Sequence, residues 1–319
     1  MSNDDDDMDS GMNSGMESDG IVSEEMLWDR IPEVTGLDRA NTYYELSARI
    51  YARGQYDEAL ALAETARDIY AELEPVAASE GLAQAYSAIG YNLNQLKRMN
   101  EAASAMSKAV ELLRESKSPI AIELACTLGE WWFSSKEYRK TIECMRDCVQ
   151  EHLVDGNDLG AANDLHLIGC AHRELGEHAQ ALAAFEEARA IFKTEKDVIN
   201  VARCDQKIAH CYIELGDGES ALIAAQKSLD VFATAHDHRR ETYSLLELGK
   251  AQVLTGSLQL GLDTLDRVRD IASEAEWKDF EFIVEIEKKI SSVLRLLHRD
   301  VEADEIDRRL RSVTEIIED

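Results

Sequence analysis

Small residues recur along this chain at a nearly fixed interval. Ala59, Ala102, Thr141, Ala181, Ala221, Gly261 and Ala303 are separated by 43, 39, 40, 40, 40 and 42 residues. A unit of that length holds two amphipathic helices and a turn. Such a unit cannot bury both of its apolar faces alone, so it must stack on copies of itself. The period therefore limits the chain to an all-helical repeat array before any other property is considered.

The unit is clearest at residues 165–192, LHLIGCAHRELGEHAQALAAFEEARAIF. Leu165, Ile168, Gly169 and His172 share one face of a first helix. Gly169 costs about 1 kcal/mol relative to alanine inside a helix, and close helix–helix approach is the usual compensation. The turn Leu175-Gly176-Glu177 follows, with Gly176 placed to end the helix. Ala181, Leu182, Phe185, Ala188 and Ile191 then form the apolar stripe of a second helix. The small residue of the first helix, the turn, Ala181, Phe185 and Ala188 together resemble a tetratricopeptide repeat. Armadillo and HEAT repeats have a similar period, but the glycine-plus-alanine signature favours the tetratricopeptide type. The interval of about 40 exceeds the common 34 residues. It is similar to a long-helix subgroup whose helices are each roughly 4–5 Å longer.

This register gives seven hairpins, at about 38–74, 75–117, 118–155, 156–195, 196–235, 236–275 and 276–319. The resemblance implies that they wind into a right-handed superhelical solenoid. Asp38 is placed to cap the first long helix. Pro75 and Pro119 fall at helix starts or in loops. Residues 1–20 are acidic and polar, with no basic residue, and are expected to be a disordered tail. Residues 21–37 form a short apolar island. Its Leu27, Trp28, Ile31 and Val34 share a helical side and are expected to cap the first repeat. The helix at about 301–317 keeps Ile306, Leu310, Val313 and Ile317 on one stripe beneath a charged surface, as a terminal cap requires.

The chain carries 34 basic against 63 acidic residues, a net charge of -29. That surface disfavours nucleic acid and anionic membranes as partners. No apolar run approaches the roughly 20 residues of a membrane span. The N-terminus lacks a signal-peptide pattern. The six cysteines sit at helical core positions and read as reduced thiols of a cytoplasmic protein. Cys144 and Cys148 lie four apart, with Cys148 in the slot of Ala188, and read as packing residues. His166 and Cys170, with His210 nearby, fall short of the three or four ligands zinc needs. The expectation is no metal and no cofactor. No phosphate loop, paired-histidine helix or nucleophile elbow is present, so no enzyme is expected.

What remains is the inward face of each first helix, which lines the groove in tetratricopeptide proteins. By the register it holds Tyr44 and Tyr51; Tyr91 and Asn94; Glu130 and Phe133; Asn163, His166, Cys170 and Arg173; Arg203, Gln206, His210 and Ile213; Tyr243, Leu246, Lys250 and Val253. Mixed aromatic and amide side chains suit the capture of a protein or peptide. Arg173, Arg203 and Lys250 point further to an acidic segment or a free C-terminal carboxylate, unless internal salt bridges consume them. The acidic tail is itself such a segment. The expected function is a non-catalytic adaptor or scaffold. The alternative is a peptide-gated regulator that sequesters or releases a partner, disfavoured because the residues before 38 are too few for an effector domain. Oligomeric state is left open.

Overall fold

The computed structural model describes residues 23–275 and 280–318. Among them every element is helical. After a short helix α1 (Glu24–Arg30) and a 3-10 turn (Ile31–Glu33), seven hairpins follow among the described residues. They are α2–α3 (Gly36–Ala52, Tyr56–Ala71), α4–α5 (Pro75–Gln95, Met99–Glu115), α6–α7 (Ile120–Ser134, Tyr138–Val154), α8–α9 (Asp158–Glu174, His178–Thr194), α10–α11 (Val198–Leu215, Gly218–Thr234), α12–α13 (His238–Leu254, Leu258–Glu274) and α14–α15 (Phe280–Leu296, Asp300–Glu318). The chain divides into two compact units, 1–117 and 118–319. Within each unit every helix packs on the next, so the fold is an all-α helical-repeat stack.

One close crossing holds each hairpin together. A small residue of the first helix faces a small residue twelve positions later: Ser47 and Ala59, Gly90 and Ala102, Gly129 and Thr141, Gly169 and Ala181, Ala209 and Ala221, Gly249 and Gly261, Ser291 and Ala303. A Cβ added at Gly169 would lie 2.7 Å from the Phe185 ring, and one at Gly129 2.1 Å from the Met145 methyl. Where serine replaces glycine, its hydroxyl finds a partner instead. Ser47 Oγ donates to the Ala59 carbonyl at 2.7 Å, and Ser291 Oγ to Asp307 Oδ1, also at 2.7 Å.

Each hairpin turns through one left-handed residue, and the next amide donates back into the first helix, as Glu177 N does to the His172 carbonyl at 2.9 Å. Gly54, Gly176, Gly216 and Gly256 occupy this position in four hairpins, but Lys97, Lys136 and His298 do so in the others. The turn is imposed by the crossing helices even where no glycine eases it. Asn157, Asp197 and Asp237, forty residues apart, cap α8, α10 and α12 by accepting a backbone N–H with their side chains.

The end of the first unit differs from expectation in two details. Helix α2 begins at Gly36 with Thr35 before it, so Asp38 lies inside the first turn and is not the cap. Its acidic charge there still complements the helix dipole. Leu27 and Ile31 do bury against Leu46, Ile50, Ala59 and Leu62, and Glu24 pairs with Arg53 at 2.7 Å. Trp28, expected on that side, is 41% exposed because it points away from this contact. In the second unit Trp131 is buried, and the neighbouring Trp132 lies under Lys140, at 4.2 Å. The tail at 1–20, the hairpin start near Trp277, and the side chains of Val313 and Ile317 lie outside the described residues.

At the C-terminal end, Ala303 and Ile306 are buried in one cluster with Ile286, Ile290 and Val293 of α14, and Leu310 packs against it. Arg295 pairs with Asp304 and Asp307 at the rim. Two measurements check this architecture. Gly169→Leu overpacks the α8–α9 crossing and is expected to cost about 1–3 kcal/mol or more, read as a lowered Tm; an unchanged Tm contradicts the crossing. Truncation after Arg299 uncovers the α14 stripe and is expected to cause aggregation. A truncated chain that stays monomeric with its remaining helices intact contradicts the cap.

Candidate functional site

Consecutive first helices approach one another within each unit: α2 touches α4, α6 touches α8 and α10 touches α12. Their common side in the second unit carries two depressions. One, of about 430 Å³, is lined by His166, Arg203, Gln206, Lys207, Asp237, Arg239, Arg240 and Tyr243. The other, of about 400 Å³, shares His166 and Arg203 and adds Cys126, Glu130, Asn163 and Asp164 among its walls. A larger depression of about 540 Å³ opens elsewhere, between α9, α10 and α11. There Arg189 is already paired with Asp205 at 2.8 Å.

The shared wall is cationic and incompletely satisfied. Arg203 donates to the neutral Asn200 side chain at 2.7 Å and forms no ion pair among the described residues. Lys207, one turn further along α10 on the same face, also lacks one. Burial lowers the Lys207 pKa, and the charges of Arg173 and Arg203 press it down further. Burial also pushes His166 down to about 3, helped by Arg203, Lys207 and Arg173, so its imidazole is neutral. Its Nδ1 lies 3.8 Å from Cys170 Sγ, and its buried Nε2 has no hydrogen-bond partner. Burial raises the Cys170 pKa, which keeps that thiol protonated. Arg173, despite burial, is held above its ordinary pKa by a 2.5 Å contact with Glu174.

The structure sorts the other expected groove residues. Asn163 and Glu130 are exposed beside the second depression, and Tyr243 stacks on Phe282 at 4.4 Å between ring centres. Gln206 is buried, and its amide donates to the Arg240 carbonyl and Ser244 Oγ, so it mainly joins α10 to α12. Leu246 is core. His210 turns to Glu247, 3.4 Å away, and does not converge with His166 and Cys170. Phe133 packs edge-on to Tyr138, and Tyr51 to Tyr56. In the first unit Tyr44, Tyr91 and Asn94 are half-buried, and Tyr51 accepts from Gln95 at 3.2 Å. Lys207 was absent from the expected set, although its spacing of four from Arg203 places it on the same face.

A family model described as tetratricopeptide repeat matches residues 83–113 and 165–189. Several solved structures share the fold. The signal transduction ATPase with numerous domains from Pyrococcus horikoshii, which has a tetratricopeptide repeat sensor, aligns over 90% of this chain at 15% identity and a TM-score of 0.63. This chain spans only 43% of that protein's length. The apo form of RapI aligns over 88% of this chain and 98% of its own, at 14% identity and a TM-score of 0.57. The Rap conjugation gene regulator of plasmid pLS20, in complex with the Phr peptide, aligns over 98% of this chain and 80% of its own, at 16% identity and a TM-score of 0.50. No curated protein sequence is significantly similar to this chain.

Lys250 requires a correction. It is 8% exposed, and its ammonium contacts Glu285 at 2.5 Å and Glu247 at 3.6 Å, so internal pairing consumes it and no charge is left for a groove. Glu247 is driven two ways: burial raises its pKa, but Lys250, His210 and Lys207 outweigh that and lower it. Lys250 is raised above its ordinary value, with Glu247 and Glu285 overcoming burial. By linkage, the Glu247 contribution to stability is complete above its ordinary value of 4.5 and is lost as pH falls through the depressed one. That of Lys250 is complete below 10.5 and is lost as pH climbs through the raised one. Lys250→Met strands a buried carboxylate and is expected to cost on the order of 3 kcal/mol at pH 7. In urea denaturation this deficit should shrink once acid protonates Glu247; a deficit equal at pH 7 and in acid contradicts the pairing.

Proposed function

Starting from a chain that carries tetratricopeptide repeats in an all-α helical stack, we propose that it is a non-catalytic adaptor. It binds a protein or peptide on the first-helix face of its second unit. The ligand contributes an acidic side chain or a free C-terminal carboxylate. One observation carries this reading: Arg203 and Lys207 line one depression and form no ion pair among the described residues. A carboxylate there accepts from both. It gives the two cations a counter-ion and raises the depressed pKa of Lys207.

The surrounding charge sharpens selection. With a net charge of -29, most of the surface repels acidic segments, and cations gathered in one depression localise them. The side chains on this wall belong to rigid helices, so little loop ordering opposes binding. Half-buried Tyr243, on the wall of the same depression, supplies apolar area for the rest of a bound chain. The Rap conjugation gene regulator, a peptide-bound protein of related fold, supports peptide capture as a use of such a stack. A peptide-gated release of a second partner is the finer variant of this reading.

Affinity purification from the native cell supplies the partner. Its binding to the purified full chain is then measured by fluorescence anisotropy at two salt concentrations. The double variant Arg203→Glu with Lys207→Glu is expected to lose at least about 2 kcal/mol, or roughly thirtyfold, with helicity unchanged. Wild-type binding is expected to weaken with salt. Unchanged affinity of the double variant contradicts the site. A hydrolase or transferase activity of the pure protein, lost on one substitution in this face, contradicts the adaptor.

A further inference from the structure

A second cluster lies beside this wall and plays no part in the adaptor reading. Three consecutive helices, α6, α7 and α8, each send one ligand-type side chain to a common point. Cys126 Sγ is 3.7 Å from Asp164 Oδ1, and His152 Nδ1 is 2.8 Å from Asp164 Oδ2. The three ligand atoms all lie within 4.8 Å of one another. We propose that Cys126, His152 and Asp164 bind a divalent zinc-class cation, with the fourth coordination position open to the neighbouring depression.

The repeat itself shows that this cluster is a departure. One period after His152 stands Phe192 and two periods after it Phe232, both fully buried. The same steps from Asp164 lead to Cys204 and Ser244. The backbone at this position accepts a buried phenyl ring in two sister repeats. Here it holds an imidazole and a carboxylate whose side chains are 11% and 8% exposed. Replacing such a pair by apolar groups is often neutral or stabilising, so packing gives no reason for it. The site is also fitted to the ring: a Cβ on Gly160 would lie 2.9 Å from His152 Cδ2.

The geometry is close to what the metal needs. Zinc–ligand distances near 2.0–2.3 Å put tetrahedral neighbours about 3.3 Å apart for nitrogen and oxygen, and about 3.6 Å for sulfur and oxygen. The sulfur contact is to Oδ1 and the imidazole contact to Oδ2, so the carboxylate turns to present one oxygen to the ion or holds it with both. As the ion takes Nδ1, the ring proton moves to Nε2 and the His152–Asp164 contact opens by about half an ångström. Thiol plus imidazole selects a softer cation over magnesium or calcium. On binding, the Cys126 thiol gives up its proton to solvent. Thiolate and carboxylate together then cancel the charge of the ion, which suits a buried site. Behind the cluster Cys148 is fully buried against Cys126 and Cys144. In front lies the depression of about 400 Å³, into which the fourth position faces.

Cobalt(II) titration of the chelator-treated full chain tests this. The expected result is one equivalent bound, with tetrahedral visible bands and a thiolate-to-cobalt charge-transfer band. Cys126→Ser should abolish the charge-transfer band, and Asp164→Asn should weaken binding by about tenfold or more. Cys144→Ser should keep both band and stoichiometry. Circular dichroism establishes that each variant is folded. Zinc should also raise the Tm of the wild-type chain, a measurement that needs no variant. Absence of stoichiometric binding by the wild type overturns the proposal. So does a charge-transfer band that survives in folded Cys126→Ser, or one that vanishes in folded Cys144→Ser.

Discussion

Everything in this structure depends on how closely two helix backbones can cross. At the Gly169–Ala181 crossing, and at its six equivalents, side-chain volume has been withdrawn from both partners. The gap is filled by one large group from the second helix: Phe185 over Gly169, Met145 over Gly129, Leu265 over Gly249. Small and large residues thus alternate across the contact, which keeps the interior at native density. The exceptions obey the same physics. Serine at positions 47 and 291 adds one polar atom, and that atom finds an acceptor on the second helix, the Ala59 carbonyl or the Asp307 carboxylate.

Once the crossing sets the backbone, the repeats differ only in what they hang on it. Equivalent positions can therefore be compared as substitutions in one scaffold. Two ionisable pairs stand out. His152 and Asp164 put a polar pair where sister repeats place Phe192 with Cys204 and Phe232 with Ser244. Glu247 and Lys250 put a charged pair into the inner side of α12. The second pair is answered within the fold by His210 and Glu285. The first is the foundation of the proposed cation site.

The first-helix side also concentrates the chain's unmet electrostatics. Arg173 and Lys250 are consumed by Glu174 and by Glu247 with Glu285. Arg203 and Lys207 are not, and their fields reach His166. A buried cation without a counter-ion is unstable by itself, and its depressed pKa records that. It becomes favourable when an anion arrives, so the cost carried by the free protein becomes affinity for the right ligand.

The sequence by itself determined the helices, their pairing and their register, because each follows from local periodicity, turn chemistry and a repeat interval of about 40. The paired helices and the close contacts at Gly129, Gly169 and Gly249 were legible there. So was the face that carries Arg203 and His166, because spacing along one helix assigns a face. What spacing could not assign is the state of a side chain on that face. Lys250 and Arg203 both fall on the inward face that spacing assigns, yet one is neutralised by Glu285, thirty-five residues away, and the other forms no ion pair among the described residues. The convergence of Cys126, His152 and Asp164 from three helices was equally invisible. Such juxtapositions depend on the distance and rotation between stacked helices, which only the packed structure decides.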